Sequence, residues 1–428
     1  MDKMEPIEIK QKVRENVLRK LDSFLETDDE AVRQMVEEEL YEVSRTCYIP
    51  FSVRERMGKE IYDSVRKYDI LQDLIEDSTI TEIMVNGPDR IFIERNGLLT
   101  EYDHHFESAD KLENIIQQIV SGSNRVVNES TPIVDARLEN GSRVHVVLPP
   151  VALNGPVLTI RRFPDHPIGI RELVEFGSIT TEAAEFLRIL VISGYNIFIS
   201  GGTGSGKTTF LNALSGFIPK SERIITIEDS AELQIQGVKN LIRLETRNAN
   251  IEGCQEITIR DLIKASLRMR PDRIIVGEVR SVEAVDMIQA LNTGHDGSLS
   301  TGHANSARDM LYRLETMILM GMSSLPLDAV RRQIASGLDI IVHLGRLRDR
   351  SRRVLQIVEV TGFQDGEIRT EKLFDFVETG QQKDGKKDGK VMGQLRRTRA
   401  LLHREKLIAA GFAKEAEYEL SDISFEKD

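Results

Sequence analysis

The chain has 428 residues, of which 40% are hydrophobic and 29% are charged, a composition typical of a folded globular protein. At about 150 residues per domain, this length predicts two or three domains. Lysine and arginine number 57 against 69 aspartate and glutamate residues, and the formal net charge is −12. This balance excludes a global positive field that would gather nucleic acid or anionic lipid, so any anionic ligand must meet a local site.

Signals for membrane insertion, secretion and disulfide bonding are missing from the sequence. The longest uncharged stretch, residues 189–206, is broken by polar residues and glycines, so we expect no membrane-spanning helix. The N-terminal residues lack the apolar core of a secretory signal. Two cysteines, Cys47 and Cys254, are too few for a disulfide framework or a metal site. We therefore expect a cytoplasmic protein.

Residues 1–68 are predicted to form a helical bundle, because apolar residues recur at helical spacing along three segments. The third helix is expected to begin after Ser52, which has capping-box spacing to Glu55. From 69 to 163 short β-branched segments alternate with turns, with a helix around 112–120, which predicts an α+β domain. Two prolines and a glycine then favour a linker over 164–171.

From 172 to 378, strands alternate with helical stretches, a pattern typical of an α/β domain with a mostly parallel sheet. The predicted strands cover 196–200, 224–228, 273–276, 298–301 and 339–344, and an antiparallel hairpin follows around Asp365 and Gly366. The tail, 379–428, is basic and then acidic, with a flexible linker over 381–390 and a helix from Val391 to about Ala410. It is either a solvated appendage or a weak contact to anionic lipid headgroups or to an acidic partner at the membrane.

A phosphate-binding loop is the strongest motif in the chain. The residues Gly201, Gly202, Thr203, Gly204, Ser205, Gly206, Lys207, Thr208 and Thr209 match G-x-x-x-x-G-K-[ST] between a predicted strand and a predicted helix. In such a loop backbone N–H groups surround phosphate oxygens, an exposed Lys207 reaches the β- and γ-phosphates, and Thr208 ligates Mg²⁺. We expect ATP and Mg²⁺ as ligands.

Acidic residues end two of the predicted strands. Glu228 and Asp229 follow one apolar run, and Glu278 follows another. In an open parallel sheet such residues emerge at the carboxyl edge, where ligands bind. Farther on, His295 and His303 lie in a stretch of small residues. Hydrolysis needs one carboxylate for the metal and another to orient the attacking water, and the acids at the two strand ends are candidates for these roles.

The order of these motifs resembles that of the secretion and pilus-assembly ATPases, the type II/IV secretion traffic ATPases. A phosphate loop, an aspartate box, a Walker B strand ending in Gly277 and Glu278, and a histidine box follow one another here as in that family. The amino-acid sequences of 82–90 and 267–273 are most similar to those of the CpaF/TadA-like ATPases of tight-adherence (Flp) pili. The resemblance covers roughly 69–377 and implies a RecA-like ATPase domain after a PAS-like α+β domain.

The resemblance also implies roles for individual residues. Lys207 and Thr208 match the phosphate-loop roles, Glu228 the acid that activates water, Glu278 the acid that supports Mg²⁺ partly through water, and His303 the histidine box. Which of Glu228 and Glu278 is the general base stays open.

The family also sends arginines from the second domain to the phosphates. Arg143 and Arg161 match those positions, with Arg137 and Arg162 as neighbours that are either functional or ordinary surface residues. Arg247 and Arg270 could instead reach the site of a neighbouring subunit. Mobile cations of this kind would meet the charge that develops on the γ-phosphoryl oxygens.

The implied function is that of a cytoplasmic hexameric motor, peripherally associated with the inner membrane through platform proteins, that powers assembly or retraction of a Flp or type IV-like pilus. The alternatives are a type IV secretion ATPase and a RecA-like nucleic-acid motor. The acidic balance and the absence of tryptophan count against a nucleic-acid motor. The presence of both acids counts against a scaffold that binds nucleotide without hydrolysing it. A tetracysteine zinc motif is absent, so zinc is not expected.

Overall fold

The computed structural model describes residues 6–21, 28–45, 47–95, 97–123, 125–163, 167–247, 255–381 and 391–415. The chain divides into two compact units, Met1–Asp165 and His166–Asp428. Within the described residues, every helix is too short or too polar to cross a membrane. Parts of the predicted linker (164–166) and of the predicted tail (382–390 and 416–428) lie outside the described residues, as does Cys254.

The N-terminal unit begins with three helices, α1 (Pro6–Leu21), α2 (Asp29–Ser44) and α3 (Phe51–Arg66). Their buried faces share one apolar cluster formed by Ile9, Val13, Val17, Val36, Leu40, Val43, Met57 and Ile61. The predicted capping box of Ser52 and Glu55 is wrong, because α3 already begins at Phe51 and Pro50 occupies the cap position without a side-chain hydrogen bond. The fixed φ of proline (−57° here) starts the helix early and leaves Ser52 inside it.

The rest of this unit is a helix on an antiparallel sheet. The elements in chain order are α4 (Leu71–Glu76), β1 (Ile80–Asn86), β2 (Ile91–Arg95), β3 (Leu98–Tyr102), α5 (Ala109–Gly122), β4 (Ile133–Arg137), β5 (Arg143–Val147) and β6 (Val157–Arg161). The described strands pair in the order β3-β2-β1-β6-β5-β4. Alternate residues of β1, β2, β4, β5 and β6 are buried together with one face of α5, so this part of the unit has its own core.

The second unit alternates strands with helices over most of its length. Its elements are α6 (Ile170–Glu175), α7 (Thr181–Ile192), β7 (Ile197–Gly201), α8 (Lys207–Ser215), β8 (Arg223–Glu228), β9 (Asn240–Glu245), α9 (Ile259–Ser266), β10 (Arg273–Val276), α10 (Ala284–Leu291), β11 (Leu299–His303), α11 (Ala307–Gly321), α12 (Leu327–Gly337), β12 (Ile340–Arg346), β13 (Arg352–Gln364), β14 (Glu367–Gln381), β15 (Val391–Arg397) and α13 (Glu405–Ala409).

These strands form a single twisted layer within the described residues, in the order β15-β14-β13-β12-β7-β11-β10-β8-β9. Pairing is parallel from β12 to β9 and antiparallel from β12 to β15. Successive residues of β7 enter opposite cores, with Ile197 and Ile199 in one and Phe198 in the other. Burial on both faces explains why the central strands are apolar runs rather than alternating patterns. The predicted α/β fold class, with a mostly parallel sheet, is confirmed.

The predicted helix from Val391 to Ala410 is wrong. Residues Val391–Arg397 form β15, paired with β14, and the helix α13 covers only Glu405–Ala409. Val391 and Leu395 are buried four residues apart, a spacing that fits one face of a helix or one face of a strand equally well. Gly393 between them allows the close approach of the two strands, because a Cβ there would lie 2.8 Å from the carbonyl oxygen of Val377 on β14.

The basic residues that follow β14 also belong to the fold where they are described. Arg399 pairs with Glu371 at 2.8 Å. Lys406 Nζ lies 2.8 Å from Asp296 and 2.7 Å from Asp339. The prediction of an appended tail is therefore wrong for residues 391–409, whose charges neutralise acids of their own unit. Lys383, Lys386, Lys387 and Lys390 lie outside the described residues.

Candidate active site

The phosphate loop connects the carboxyl end of β7 to the N-terminus of α8. Gly204 and Gly206 have φ values of 69° and 91°, the left-handed region that glycine enters without strain. At Gly201 a Cβ would lie 2.6 Å from the carbonyl oxygen of Leu344, so only glycine allows β7 and β12 to approach so closely. The loop ends at the N-terminus of α8, where free N–H groups and the partial positive charge of the helix favour an anion.

Lys207, the first residue of α8, is buried rather than exposed, which corrects the sequence-based expectation. Its Nζ donates to the carbonyl oxygen of Gly202 at 3.2 Å and to Nδ1 of His303 at 3.2 Å. Burial lowers the pKa of Lys207, and the nearby Glu278 carboxylate opposes that shift. The side chain of Lys207 is thus held inside the loop, where the motif predicts that an anion binds.

His303 ends β11 and connects Lys207 with Glu278. Its Nε2 lies 2.8 Å from Oε1 of Glu278. Burial lowers the pKa of His303, and the positive charges of Lys207 and Arg280 lower it further against the effect of Glu278. Both effects favour the neutral imidazole, which can accept a hydrogen bond from Lys207 at Nδ1 and donate one to Glu278 from Nε2.

Arg280 connects the two acidic strand ends. Its Nη2 donates to Oε2 of Glu278 at 2.8 Å, and its Nη1 lies 3.3 Å from Oδ2 of Asp229. Residues 278 and 280 lie two apart just after β10, and their side chains are in contact. Sequence reasoning did not select Arg280.

Glu228 is almost completely buried at the end of β8. Its Oε1 accepts hydrogen bonds from the backbone N–H groups of Glu232 and Leu233, both at 2.9 Å, whereas its buried Oε2 has no hydrogen-bond partner within the described residues. Burial raises the pKa of Glu228 to about 7, although the two backbone N–H groups lower it. This carboxyl group therefore exchanges a proton near neutral pH.

Magnesium fits the groups that the structure brings together here. The carboxylate of Glu278 lies at this edge of the sheet, with Oε1 2.8 Å from Nε2 of His303 and Oε2 bonded by Arg280, and carboxylate oxygens are the donors that Mg²⁺ prefers. Within the described ranges no group of three or more His, Cys, Asp or Glu side chains could hold a metal ion by itself. Mg²⁺ commonly binds through one or two carboxylates together with water and substrate phosphates.

The arginines predicted in the N-terminal unit form a row across three strands. Arg137 on β4 lies opposite Arg143 on β5, and Arg143 lies opposite Arg161 on β6. This register places the three arginines on the same face of neighbouring strands. Arg143 is 3.4 Å from Asp135, and the backbone N–H of Arg162 donates to the carbonyl oxygen of Thr81 just beyond the row.

The remaining predicted residues lie at different edges of the large sheet. Arg247 follows β9 at the carboxyl edge, because Glu245 pairs in register with Glu228. His295 and Arg270 precede the strands β11 and β10, so they lie at the opposite edge from the phosphate loop. His295 Nδ1 is 3.2 Å from the carbonyl oxygen of Ala290 in that turn. The structure therefore removes His295 from the phosphate site, because it lies at the wrong end of a parallel strand.

Sequence reasoning missed two further side chains beside the loop. His343 on β12 is buried, and its Nδ1 lies 2.7 Å from Oγ of Ser200, the residue before Gly201. Arg352 on β13 donates through Nε to the carbonyl oxygen of Gly204 at 2.9 Å. Neither residue carries a sequence signal, because each lies more than a hundred positions from the loop and reaches it through strand pairing.

Comparison with known proteins identifies relatives over most of the chain. The profile of the family described as Type II/IV secretion system protein matches residues 65–399. The conjugal transfer protein TrbB of Rhizobium radiobacter is 33% identical over 325 residues, which is 74% of this chain and 94% of that protein. The type IV secretion system protein PtlH of Bordetella pertussis is 33% identical over 304 residues, covering 65% and 89%.

Solved structures agree on the fold. The X-ray structure of the ATPase DotB from Yersinia pseudotuberculosis superposes with a TM-score of 0.50 and 17% identity, covering 70% of this chain and 80% of that one. Such a likeness supports the architecture alone. The family match, in contrast, spans well over half of the chain and includes every element that carries the phosphate loop, both acidic strand ends and His303. The chain belongs to the Type II/IV secretion system protein family.

Proposed function

We propose that the chain is a Mg²⁺-dependent ATP hydrolase. One observation carries the proposal: Lys207, His303 and Glu278 are in direct contact at the carboxyl edge of the sheet, beside the phosphate loop and the buried Glu228. A phosphate loop by itself would bind nucleotide. A metal-binding carboxylate and a second carboxylate with a pKa near 7 add what hydrolysis requires.

The contacts and burial of each site residue indicate its proposed role. The loop N–H groups and Lys207 bind the phosphates, while Thr208 and Glu278 would hold Mg²⁺, which neutralises charge on the β- and γ-phosphates when bound. Glu228 is the better candidate for the general base, because its free Oε2 is buried and its pKa is about 7. Glu278 is instead engaged by Arg280 and His303.

The arginine row of the N-terminal unit supports the same reaction. Strand register places three arginines on one face of β4, β5 and β6, and guanidinium groups form strong charge-assisted hydrogen bonds with phosphate. The γ-phosphoryl group gains charge on its oxygens in the transition state. Arg143 and Arg161 are therefore proposed to stabilise that charge, with Arg137 next to them.

The family match supports a cellular role in secretion or pilus assembly. We propose a cytoplasmic hexameric motor that acts at the inner membrane through platform proteins. It powers assembly or retraction of a Flp or type IV-like pilus, a role that the amino-acid sequences of 82–90 and 267–273 favour. A second candidate is a type IV secretion ATPase, which the names of two relatives favour, one a conjugal transfer protein and the other a type IV secretion system protein.

Purified protein tests the enzymatic proposal. Phosphate release from ATP should require Mg²⁺, disappear with EDTA, and fall to background in Lys207→Ala and Glu278→Gln. His295→Ala is the matched control, since it removes a histidine of the same segment at the opposite sheet edge. Wild-type turnover in Lys207→Ala would refute the proposed site.

A deletion strain tests the cellular role. Strains complemented with the wild-type chain or with Lys207→Ala are compared for surface pili by electron microscopy and for transfer of plasmid DNA to recipient cells. Loss of pili with normal DNA transfer supports the pilus motor. Loss of DNA transfer with normal pili supports the type IV secretion candidate instead.

A further inference from the structure

An arginine-rich hairpin lies beside the phosphate loop. Strands β12 and β13 are joined by the turn 347–351, and Leu344 on β12 pairs in register with Gly201, where the loop begins. Arginines occupy alternate positions through this hairpin and all are exposed to solvent; they are Arg346, Arg348, Arg350 and Arg352. The hairpin therefore brings a dense positive charge to the edge of the proposed nucleotide site.

One of these arginines holds the loop itself. Arg352 Nε donates to the carbonyl oxygen of Gly204 at 2.9 Å. Its Cδ also lies 3.5 Å from the place where a Cβ of Gly206 would be. Arg348, in contrast, binds the carboxylate of Glu378 on β14. The contact with the phosphate loop is thus specific to Arg352 rather than a property of every arginine in the hairpin.

The pairing of the two hairpin strands places this side chain unfavourably. Arg352 lies directly opposite Arg346 in the ladder between β12 and β13, and opposed like charges destabilise a strand pair. An exposed edge position would tolerate many other residues. The contact with Gly204 gives a physical reason for an arginine at this place.

The loop has a specific need for such a contact. Gly204 and Gly206 both adopt left-handed backbone conformations, and glycine has more conformational freedom to lose than other residues when a loop becomes ordered. A phosphate-binding loop must keep its N–H groups turned inward, with carbonyl groups turned outward. A cationic donor on the carbonyl group of Gly204 fixes one peptide unit in that orientation.

We propose that Arg352 is a positioning residue that keeps the phosphate loop in its nucleotide-binding shape. The proposal rests on the proposed ATP-binding function of the same loop. Because Arg352 acts before the chemical step, its loss should weaken nucleotide binding and raise the KM for ATP. It should change kcat much less, since no reacting atom touches the side chain.

Nucleotide affinity measured by fluorescence titration with labelled ADP, together with KM and kcat for ATP, tests the proposal on the full chain. In Arg352→Ala the Kd and KM should rise about tenfold and kcat should change less than about twofold. Arg352→Lys keeps a cationic donor for a single carbonyl oxygen and should recover most of the affinity. Arg350→Asn is the charge-matched control: it removes one arginine from the same turn, and asparagine tolerates the left-handed φ of 66° at that position.

The outcomes separate this proposal from the proposed function. An unchanged Kd in Arg352→Ala, an equal loss in Arg350→Asn, or no recovery in Arg352→Lys would each overturn it. An equal loss in the control would mean that the overall charge of the hairpin acts, rather than the contact with Gly204. If the wild-type chain itself neither binds ADP nor hydrolyses ATP, the proposed function fails first.

Discussion

Gly277 lies against the side chain of Glu228, so closely that a Cβ on Gly277 would be 2.8 Å from Cγ of the glutamate. Glu228 has little room to move aside, because it is buried and two backbone N–H groups hold its Oε1. Gly277, the residue before Glu278, is therefore needed to keep Glu228 in its position. This relationship links the two acidic strand ends of the proposed site.

Replacing Gly277 by alanine should accordingly damage catalysis. We expect turnover of ATP to fall about 100-fold, since small displacements of a catalytic group have effects of this order. Steady-state phosphate release measures the loss, and circular dichroism verifies the fold. Gly122→Ala is the control, because a Cβ at that position meets nothing within 4 Å. Wild-type turnover in Gly277→Ala would show that Glu228 need not stay where it is.

The raised pKa of Glu228 predicts a pH-dependent effect on stability. Burial raises this pKa from 4.5 to about 7, so the folded state takes up a proton more readily than the unfolded state. The buried charge then destabilises the fold above pH 7, by on the order of 3 kcal/mol, and this cost diminishes as the pH falls toward 4.5.

Glu228→Gln removes that charge and keeps an acceptor for the two backbone N–H groups. We expect the variant to be more stable than the wild type at pH 8 and to lose most of this advantage at pH 5, while its turnover is abolished. Denaturant unfolding at the two pH values measures the difference. The same stability difference at both pH values would contradict a neutral-range pKa.

The arginine row predicts an effect from residues far from the phosphate loop in sequence. Arg143→Ala and Arg161→Ala should each lower kcat about tenfold or more, because the γ-phosphoryl charge loses a stabilising cation. Arg90→Ala is the matched control, because this arginine lies just before β2 and pairs with Glu101 outside the row. If kcat stays at the wild-type value in both row variants, catalysis is confined to the second unit.

Two adjacent leucines test whether the segment after β15 belongs to the folded unit. Leu401 is completely buried in the core that also contains β7, whereas Leu402 is 56% exposed. Leu401→Ala should lower the free energy of unfolding by about 2 to 5 kcal/mol, and Leu402→Ala by less than about 1 kcal/mol. Thermal unfolding of both variants measures this contrast. Equal effects would mean that the segment is not packed in solution.

Features formed by neighbouring residues were readable from the sequence alone. A short segment of sequence is enough to recognise the phosphate loop, an acidic strand end, or a strand followed by a helix. The reason is that hydrophobic periodicity and glycine content determine local backbone structure. They were sufficient to predict the fold class. The same reasoning failed at Val391 and Leu395, since two apolar residues four apart satisfy both a helix and a strand.

Only the tertiary structure could decide which distant side chains meet and what charge they carry. Strand register places Arg137, Arg143 and Arg161 in one row, and it sends His295 and His303 to opposite edges of the sheet. Strand pairing also brings Arg352 to Gly204, 148 residues away in the chain. The pKa of Glu228 depends on the burial that the folded chain imposes, because removal from water disfavours the charged form whatever residues flank it in sequence.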